Sequence, residues 1–392
     1  MTSTFAPTAA ASTGLLKQLV LLGAGPAHVH LLAHLGRLGQ NALPGVQVTL
    51  VTPAQHLVCT RLLPGFVAGQ RTMADCLIPL EPLVQRSGVR WQAARAVALD
   101  VEAQAILLDD NSVLRFDWLS LCNEPLQDRD VIERAMPGAR KNGLFVRPLD
   151  AFCALWPRVP ELAANQALRV AVIGGELEGG SAGTLAIELA LAVRFSLPGA
   201  AVTLITGGAP LAADFAPAMQ KRIAQALRQR NVTVLADTAT RIDGGNILLG
   251  CGASLACDVP LIATGAQAPA WLANSGLAMD ERGFIAVDAG QRSTSHANIF
   301  VADAGDDDFD HAGQALVGSL EASLSAGTKS GPTGGPARGT PGRRLLAQPP
   351  KLLSCSDGHA IASWYGYAAQ GRWVNWLKNR RDQSLMARYR DI

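Results

Sequence analysis

The sequence has no Cys-x-x-Cys pair, although it contains seven cysteines. They are scattered along the chain at Cys59, Cys76, Cys122, Cys153, Cys251, Cys257 and Cys355. This spacing fits neither a zinc site nor a dense disulfide scaffold, so we predict no metal site. We expect mostly reduced thiols, as in a cytoplasmic protein.

The sequence also lacks a long hydrophobic run and an excess of charge of one sign. No run of 18 apolar residues occurs, so we expect no membrane-spanning segment. The net charge is +2, which gives no electrostatic reason to expect a nucleic-acid partner. Residues 1–14 are small and polar without a basic start, so we predict a disordered lead-in there rather than a signal peptide.

Apolar residues and glycines are plentiful. The 392 residues are 48% hydrophobic and 17% charged, which suits two or three domains with a large buried core. Many of the 39 glycines directly follow apolar runs, as the glycines of phosphate-binding turns do.

The first part of the chain has the pattern of a strand, a turn, a helix and a second strand. We predict strands at Lys17–Leu22 and Val46–Val51, with a glycine turn and a helix to about Arg37 between them. A crossover helix between strands implies that the strands are parallel. Downstream we predict a short helix at 77–86 and strands at Ala105–Leu108 and Trp118–Leu121.

The same pattern starts again about 150 residues later. A strand at 168–173 runs into Gly174 and Gly175, and a helix at 185–195 and a strand at Ala201–Ile205 follow. The series continues with a helix at 218–230 and with strands at 233–235, 258–265 and 299–302. The sequence therefore predicts an α/β protein with two Rossmann-like dinucleotide-binding domains.

The first glycine turn, Gly23 to His28, has the residues that a dinucleotide pyrophosphate requires. Gly23 permits a tight turn, Gly25 lets the pyrophosphate approach the backbone, and the helix that follows offers N–H groups to an anion. His28 stands where a third glycine is usual, and Thr52 ends the second strand where an acid is usual. A tight turn in some other α/β protein is the alternative interpretation.

Ala27-His28-Val29 after these glycines resembles the FAD-dependent pyridine nucleotide-disulfide oxidoreductase superfamily. The similar branch contains the type II NADH dehydrogenase-like proteins that are sometimes fused to selenide, water dikinase. A histidine at the third glycine position is normal in that branch. The resemblance continues in further segments, at 63–69, 263–266, 268–272, 275–278, 283–287, 360–363 and 371–374.

This resemblance implies that FAD stays bound in the first domain while NAD(P)H visits the second and passes a hydride to the flavin. Electrons would then leave for a quinone or another small acceptor. The implied FAD domain is 15–150 with 266–324, and the implied NAD(P) domain is 151–265. A flexible linker at 325–343 and a C-terminal segment at 344–392, packed on the flavin domain, complete the prediction.

The candidate site residues follow from the turns and from the resemblance. Those predicted to contact FAD are Gly23, Gly25, Pro26, Ala27, His28 and Asp306, with Asp303 as the alternative to Asp306. Arg61 is predicted to contact the flavin or the substrate, and Thr264 and Gly265 are predicted to bind a cofactor. Those predicted to contact NAD(P)H are Gly174, Gly175, Gly180 and Gly183. Glu188 matches a helix glutamate near the nicotinamide in the family and is the candidate catalytic residue.

The second turn departs from the family pattern. It is several residues too long, and Glu176 and Glu178 put negative charge where a pyrophosphate needs positive potential. One alternative function is therefore a flavin-binding relative with a degenerate NAD(P) site, acting as a sensor or a partner module. Another is a sulfide- or selenium-linked oxidoreductase, which needs a cysteine such as Cys59 or Cys122 near the flavin.

The aromatic and basic tail, 373–389, allows two interpretations. It is typical of a peripheral contact with the inner face of a membrane, near a quinone. Because 378–384 is polar throughout, packing against the flavin domain is the other interpretation. Nothing in the sequence fixes whether the protein forms homo-oligomers.

Overall fold

A computed structural model gives the architecture of the chain. It describes residues 16–39, 43–122, 127–175, 183–265, 269–281, 283–288, 290–302, 309–327 and 350–390. The predicted lead-in at 1–14 and most of the predicted linker lie outside these residues.

The described strands and helices alternate along much of the chain. The first strands are β1 (Lys17–Leu22), β2 (Val46–Val51), β3 (His56–Val58), β4 (Leu77–Pro79), β5 (Arg90–Gln92), β6 (Ala96–Asp100), β7 (Ala105–Leu108), β8 (Val113–Arg115) and β9 (Trp118–Leu121). The later strands are β10 (Leu144–Phe145), β11 (Arg169–Ile173), β12 (Ala201–Ile205), β13 (Val232–Leu235), β14 (Ala239–Asp243), β15 (Asn246–Leu249), β16 (Ser254–Ala256), β17 (Val259–Ile262), β18 (Ile299–Val301), β19 (Lys351–Ser354), β20 (Ala360–Trp364) and β21 (Tyr367–Gly371). The helices are α1 (Pro26–Leu38), α2 (Leu63–Val67), α3 (Glu81–Ser87), α4 (Arg129–Ala135), α5 (Ala139–Asn142), α6 (Leu149–Leu155), α7 (Arg158–Ala163), α8 (Thr184–Ser196), α9 (Pro217–Gln229), α10 (Phe309–Gly327) and α11 (Arg372–Arg390).

Two five-stranded sheets form the centre of the chain. Their strand orders are β18-β9-β1-β2-β5 and β10-β17-β11-β12-β13, and neighbouring strands are parallel in both. The two orders correspond strand by strand, so the second sheet repeats the first. The predicted α/β fold with two Rossmann-like domains is confirmed.

Side chains of each central strand alternate between two cores. In β1, Leu19 and Leu21 pack in the core that contains α1, α3 and α10, whereas Val20 faces the antiparallel sheet β6-β7-β8. In β11, Val172 packs against α8 and α9, whereas Ala171 faces the antiparallel sheet β14-β15-β16. Burial on both faces explains why these strands are continuous apolar runs.

One predicted element is wrong. The segment 77–86 is not a single helix, because Leu77–Pro79 forms strand β4 against β3 and the helix begins only at Glu81. Pro82 lies in the first turn of α3, where its missing N–H is harmless, whereas a helix from residue 77 would place it in the interior.

The C-terminal segment packs on both domains rather than on the flavin domain alone. Its sheet, β19-β20-β21, contacts α8 and α9 of the second domain, and α11 contacts β4 and α1 of the first. The His30 Nδ1 atom of α1 lies 2.7 Å from the Tyr389 hydroxyl of α11. Upstream, α10 ends at Gly327 and so includes the first three residues of the predicted linker, 325–327. Among the described helices, none is long and apolar enough to span a bilayer.

Candidate functional site

The first glycine turn lies at the carboxyl edge of the first sheet, between β1 and α1. Gly23 has φ +86°, and its N–H donates to the Val51 carbonyl at 2.9 Å. A Cβ on Gly23 would lie 1.9 Å from the Cys122 carbonyl oxygen, far inside contact distance. Both the backbone conformation and the close approach therefore require glycine at this position.

The start of α1 fits an anion. Gly25 is the N-cap in an extended conformation, Pro26 lies in the first turn, and that turn contains no acidic residue. No described side chain hydrogen-bonds the helix start as a cap. The N–H groups at the start of α1 and the positive end of the helix dipole therefore have the chemistry that binds an anion such as a pyrophosphate.

His28 lies beneath this turn and holds it in place. Its side chain is fully buried, with Nδ1 2.6 Å from the Gly23 carbonyl oxygen and Nε2 2.7 Å from Ser120 Oγ. A carbonyl can only accept, so Nδ1 carries the proton and the Ser120 hydroxyl donates to Nε2. Burial lowers the pKa of His28 to about 4, so the ring is neutral at neutral pH.

Ser120 was not predicted as a site residue. It lies in β9, inside the apolar sequence Trp-Leu-Ser-Leu, and is fully buried. A lone hydroxyl in a buried strand needs a partner, which is the one sequence signal that could have identified it.

The second glycine turn begins as the first does. The Gly174 N–H donates to the Ile205 carbonyl at 2.8 Å, as the Gly23 N–H does to Val51. Gly175 has φ +90°, and Gly183 is the N-cap of α8 in an extended conformation with no acid in the first turn. Gly174 therefore corresponds to Gly23 in its hydrogen bond and Gly183 to Gly25 as the N-cap, although the positive φ falls on Gly175 rather than on Gly174.

The spacing between these equivalent glycines differs. Two positions separate Gly23 from Gly25, whereas nine separate Gly174 from Gly183, so the second turn is seven residues longer. Residues 176–182, including the predicted nucleotide contact Gly180, lie outside the described residues. At its described ends, this turn shares with the first turn the strand-end hydrogen bond and the extended N-cap, whereas the residue with positive φ differs.

Thr264 and Gly265 lie beside the second turn. The Gly265 N–H donates to the Gly175 carbonyl at 2.9 Å. Gln127, which the sequence did not indicate, donates from Nε2 to the Ile262 carbonyl at 3.0 Å and to the Thr264 carbonyl at 3.2 Å. Its Oε1 accepts from the Arg147 N–H at 2.9 Å. The Thr264-Gly265 segment is thus fixed against the end of β11 by backbone and amide contacts.

Glu188 lies on the buried face of α8, only 7% exposed. Its Oε1 accepts from the Ser354 N–H of the C-terminal strand β19 at 2.5 Å. This contact ties the second domain to the C-terminal segment. The catalytic role of Glu188 stays a prediction.

Arg61 contacts the C-terminal helix. Its Nη2 lies 3.3 Å from Asp382 Oδ1, and its backbone carbonyl accepts from Lys378 Nζ at 3.4 Å. Lys378 Nζ also donates to Asp382 Oδ2 at 2.9 Å. The structure therefore brings Arg61 to α11, and its predicted contact with the flavin or the substrate stays a prediction.

The two aspartates proposed to bind the flavin chain, Asp303 and Asp306, lie outside the described residues. The preceding residue, Ala302, donates its N–H to the Leu121 carbonyl at 2.9 Å. Leu121 ends β9, whose next residue, Cys122, approaches Gly23. The chain therefore leaves β18 at the same edge of the sheet as the first glycine turn.

Most of the described cysteines are buried thiols. Burial raises the pKa of Cys76 and Cys257 to about 11 and that of Cys153 and Cys355 to about 12. Such thiols stay protonated at neutral pH and are poor nucleophiles. Cys59 and Cys122, the candidates for sulfur chemistry, are each 1% exposed.

A family model described as pyridine nucleotide-disulphide oxidoreductase matches residues 17–312. The chain belongs to this family. The match covers both sheets and both glycine turns, and it confirms the resemblance that Ala27-His28-Val29 indicated. Members of this family bind FAD and NAD(P)H, which are the predicted cofactors. The chain is therefore a flavin-dependent oxidoreductase.

Individual relatives are distant. A sulfide-quinone reductase of Aquifex aeolicus is 22% identical over 181 residues, which are 46% of this chain and 39% of that protein. A demethylphylloquinone reductase of a Synechocystis strain is 24% identical over 315 residues, 76% of this chain and 74% of that protein. The crystal structure of the sulfide:quinone oxidoreductase of Aquifex aeolicus has a TM-score of 0.75 at 16% identity, covering 96% of this chain and 92% of that one.

Proposed function

We propose that this protein takes a hydride from NAD(P)H onto FAD and passes the electrons to a quinone. The observation behind the proposal is the repeated turn, because Gly23 and Gly174 make the same strand-end hydrogen bond at the edges of two equivalent sheets. Two dinucleotide sites in one chain suit a bound flavin and a visiting nicotinamide. The quinone is proposed because two relatives are quinone reductases by name.

In this proposal the first turn holds FAD through backbone groups. Gly23 and Gly25 admit the pyrophosphate, the start of α1 binds it, and His28 fixes the Gly23 carbonyl from below. Bound FAD supplies the redox chemistry by accepting a hydride and releasing electrons singly or in pairs. The protein residues position the two dinucleotides and exclude water around them.

Anaerobic stopped-flow spectroscopy tests the proposal. The purified yellow holoprotein is mixed with NADH or with NADPH, and the flavin absorbance is followed. We expect bleaching with at least one donor and recovery of the absorbance when a short-chain quinone is added. Bleaching without recovery would remove the quinone from the proposal, and no bleaching with either donor would remove the nicotinamide.

A second candidate function is supported by the seven extra residues of the second turn. A longer turn with Glu176 and Glu178 disfavours a pyrophosphate, so the protein would bind FAD without using NAD(P)H and act as a sensor or partner module. The same experiment separates the two candidates, since this one predicts a stable yellow protein that neither donor reduces.

The sulfide- or selenium-linked alternative depends on a cysteine near the flavin. The Cys59 N–H donates to the Cys76 carbonyl at 2.8 Å, and the Cys122 carbonyl lies against Gly23. Cys59→Ser and Cys122→Ser should then each abolish quinone reduction with sulfide as the donor. Unchanged sulfide-dependent turnover in both variants would exclude this alternative.

We further propose that α11 and the β20–β21 hairpin touch a membrane surface. Trp373 and Trp376 of α11 are each 60% exposed, and the hairpin tip exposes Trp364, Tyr365 and Tyr367. Exposed aromatic side chains of this kind insert at the bilayer interface. Co-sedimentation with uncharged phosphatidylcholine vesicles should fall when Trp373 and Trp376 are both replaced by Gln. It should persist for Phe195→Gln, which removes an exposed aromatic side chain of α8.

A further inference from the structure

The second glycine turn lacks the side-chain support that the first one receives from its own helix. In α1, His28 is the third residue after the N-cap, and its ring binds the Gly23 carbonyl. The equivalent residue of α8 is Ala186, the third after Gly183. A methyl group forms no hydrogen bond, so any comparable support of the second turn comes from another part of the chain.

The segment that follows β17 gives the second turn this support. Strand β17 lies beside β11 in the second sheet, as β9 lies beside β1 in the first. The Ala263 N–H donates to the Ile173 carbonyl at 2.8 Å, and the Gly265 N–H donates to the Gly175 carbonyl at 2.9 Å. Gly175 is the residue of the turn with φ +90°. The position of Gly265 therefore helps to set the position of the turn.

The side chain of Gln127 holds this segment in place. It is 6% exposed, and its Nε2 lies 3.0 Å from the Ile262 carbonyl oxygen, 3.2 Å from the Thr264 carbonyl oxygen and 3.3 Å from Thr264 Oγ1. Its Oε1 accepts from the Arg147 N–H at 2.9 Å. Because carbonyls only accept and a backbone N–H only donates, these partners fix which end of the amide carries the nitrogen.

The partners of Gln127 require a side chain that both donates and accepts. A glutamate carboxylate would direct oxygen atoms toward two carbonyl oxygens, and a lysine would leave the Arg147 N–H without an acceptor. Methionine has a similar length but would leave these buried backbone groups without their side-chain partner. The amide of glutamine is therefore matched to this position in chemistry as well as in size.

We propose that Gln127 is a positioning residue for NAD(P)H, which acts through Thr264 and Gly265 on the second glycine turn. This rests on the proposed function, in which that turn binds the pyrophosphate of NAD(P)H. A glycine turn binds a pyrophosphate through oriented backbone N–H groups, so a displaced turn loses affinity for the dinucleotide. The first turn is held by His28 and Ser120 instead, so loss of Gln127 should leave FAD bound.

The test variant is Gln127→Met, and Asn142→Leu is its matched control. Asn142 Nδ2 also donates to two backbone carbonyls, of Gly138 at 3.0 Å and of Ile242 at 3.2 Å. However, Asn142 precedes β10 and so lies toward the amino edge of the second sheet, whereas Gln127 contacts the carboxyl end of β17. Both variants lose comparable hydrogen bonds, so the melting temperature should fall in both.

The measurement is anaerobic reduction of the bound flavin at increasing concentrations of NADH or NADPH. We expect the half-saturating donor concentration to rise at least about tenfold in Gln127→Met and to stay within about twofold of wild type in Asn142→Leu. The limiting rate of reduction and the flavin content should stay within about twofold of wild type in both variants. The reason is that a pyrophosphate contact is made equally before and during hydride transfer.

A second variant, Gln127→Glu, separates the donating contacts from the accepting one. At pH 8 its carboxylate can still accept from the Arg147 N–H, but it cannot donate to the carbonyls of Ile262 and Thr264. We expect the half-saturating donor concentration to rise as much as in Gln127→Met. This variant also keeps the test decisive if Gln127→Met does not fold.

The outcomes distinguish this inference from the proposed function. A wild-type protein that neither donor reduces would overturn both. Reduction of the wild type, with an unchanged half-saturating concentration in Gln127→Met or Gln127→Glu, would overturn the role of Gln127 alone. Equal weakening in Asn142→Leu would also overturn it, because any lost hydrogen bond near the second sheet would then suffice. So would a defect confined to the limiting rate, or loss of flavin from Gln127→Met.

Discussion

His28 illustrates how a residue can replace a motif glycine and still support the motif. Its ring occupies a buried position where a glycine would leave space, and both ring nitrogens have partners. Without the His28 ring, the Gly23 carbonyl and the Ser120 hydroxyl would each lose a hydrogen-bond partner inside the protein. Each loss would lower the free energy of unfolding by about 1 to 3 kcal/mol. Whether burial keeps the His28 ring neutral can be tested through the pH dependence of unfolding.

Protonation of His28 should make the stability of the protein depend on pH. The pKa is about 4 in the folded protein and 6.5 in the unfolded chain, so the unfolded chain binds more protons between these values. The lowered pKa of His28 therefore contributes stability that is complete above pH 6.5. This stability is lost as the pH falls toward 4, and the loss amounts to about 3 kcal/mol. Urea unfolding at pH 7 and at pH 4.5 measures this loss.

His28→Gln isolates the contribution, because glutamine does not titrate. We expect the difference in unfolding free energy between the two pH values to be smaller in His28→Gln by about 2 kcal/mol. His56→Gln removes an exposed histidine and should leave the wild-type difference unchanged. An equal pH dependence in wild type and His28→Gln would contradict the role given to burial.

Gly23 offers a second test at the scale of one residue. Gly23→Ala places a Cβ 1.9 Å from the Cys122 oxygen, so the turn must move and FAD should be lost from the purified protein. Gly88→Ala is the matched control, since Gly88 also has a positive φ, of +66°, but nothing lies within 4 Å of its Cβ position. It should cost about 1 kcal/mol and keep its flavin.

The ratio of flavin to protein absorbance in the purified variants checks this prediction. Full flavin content in Gly23→Ala would show that the first turn does not seat the cofactor. Loss of flavin in both variants would instead indicate that positive φ, rather than the close approach to Cys122, is the sensitive feature.

At the scale of elements, the second glycine turn can be shortened to the length of the first. Deleting residues 176–182 leaves Gly174-Gly175-Gly183 before α8 and reproduces the spacing of Gly23 to Gly25. The deletion also removes the two carboxylates of Glu176 and Glu178 from the sequence that precedes α8. We expect the dissociation constant for NAD(P)H, measured by flavin reduction against donor concentration, to fall at least about fivefold.

Charge and length can be separated in this experiment. Replacing Glu176 and Glu178 with glutamine keeps the length and removes the charge. If this double variant matches the deletion, charge is the cause, and if it matches the wild type, length is the cause. Weaker donor binding after the deletion would mean that the second site uses a geometry unlike that of the first.

Most strands and helices could be predicted from the sequence, whereas strand β4 and the contact between Ser120 and His28 could not. Strands β1, β2 and β12 have the predicted bounds, because apolar runs buried on both faces are strong local signals. Strand β4 was missed because it depends on pairing with β3, which local periodicity does not show. The Ser120–His28 contact was missed for the same reason, since it requires β9 to lie beside β1.

The C-terminal helix shows a further limit of sequence analysis. Lys378 and Asp382 have the i, i+4 spacing of a helical ion pair, which a sequence displays. Their polarity argued against an apolar stripe on α11. The structure instead buries them on the packed face with Leu385 and Tyr389, because Arg61 approaches from the first domain. No local pattern could reveal that third partner.

For the molecule as a whole, the C-terminal segment holds the two domains together. Glu188 binds Ser354 from the second domain, and Arg61 and His30 bind α11 from the first. Such a bridge can set the arrangement of the two dinucleotide sites that hydride transfer requires. The buried charges under α11 are its most vulnerable part, because each carboxylate or cation depends on its partners.

Asp382→Asn tests this bridge. The amide keeps the shape of the side chain but leaves Lys378 and Arg61 without their counter-charge, which should lower the free energy of unfolding by about 3 to 5 kcal/mol. Asp130→Asn is the control, because the Asp130–Arg140 pair is exposed and should contribute less than about 1 kcal/mol. Urea unfolding measures the stability of both variants, and limited proteolysis locates the part of the chain that is affected.

Early cleavage within α11 is expected in Asp382→Asn alone, since α11 should detach before the sheets unfold. Equal stability of the two variants would mean that α11 is held by its apolar face, and that the buried charges have no share in joining the domains.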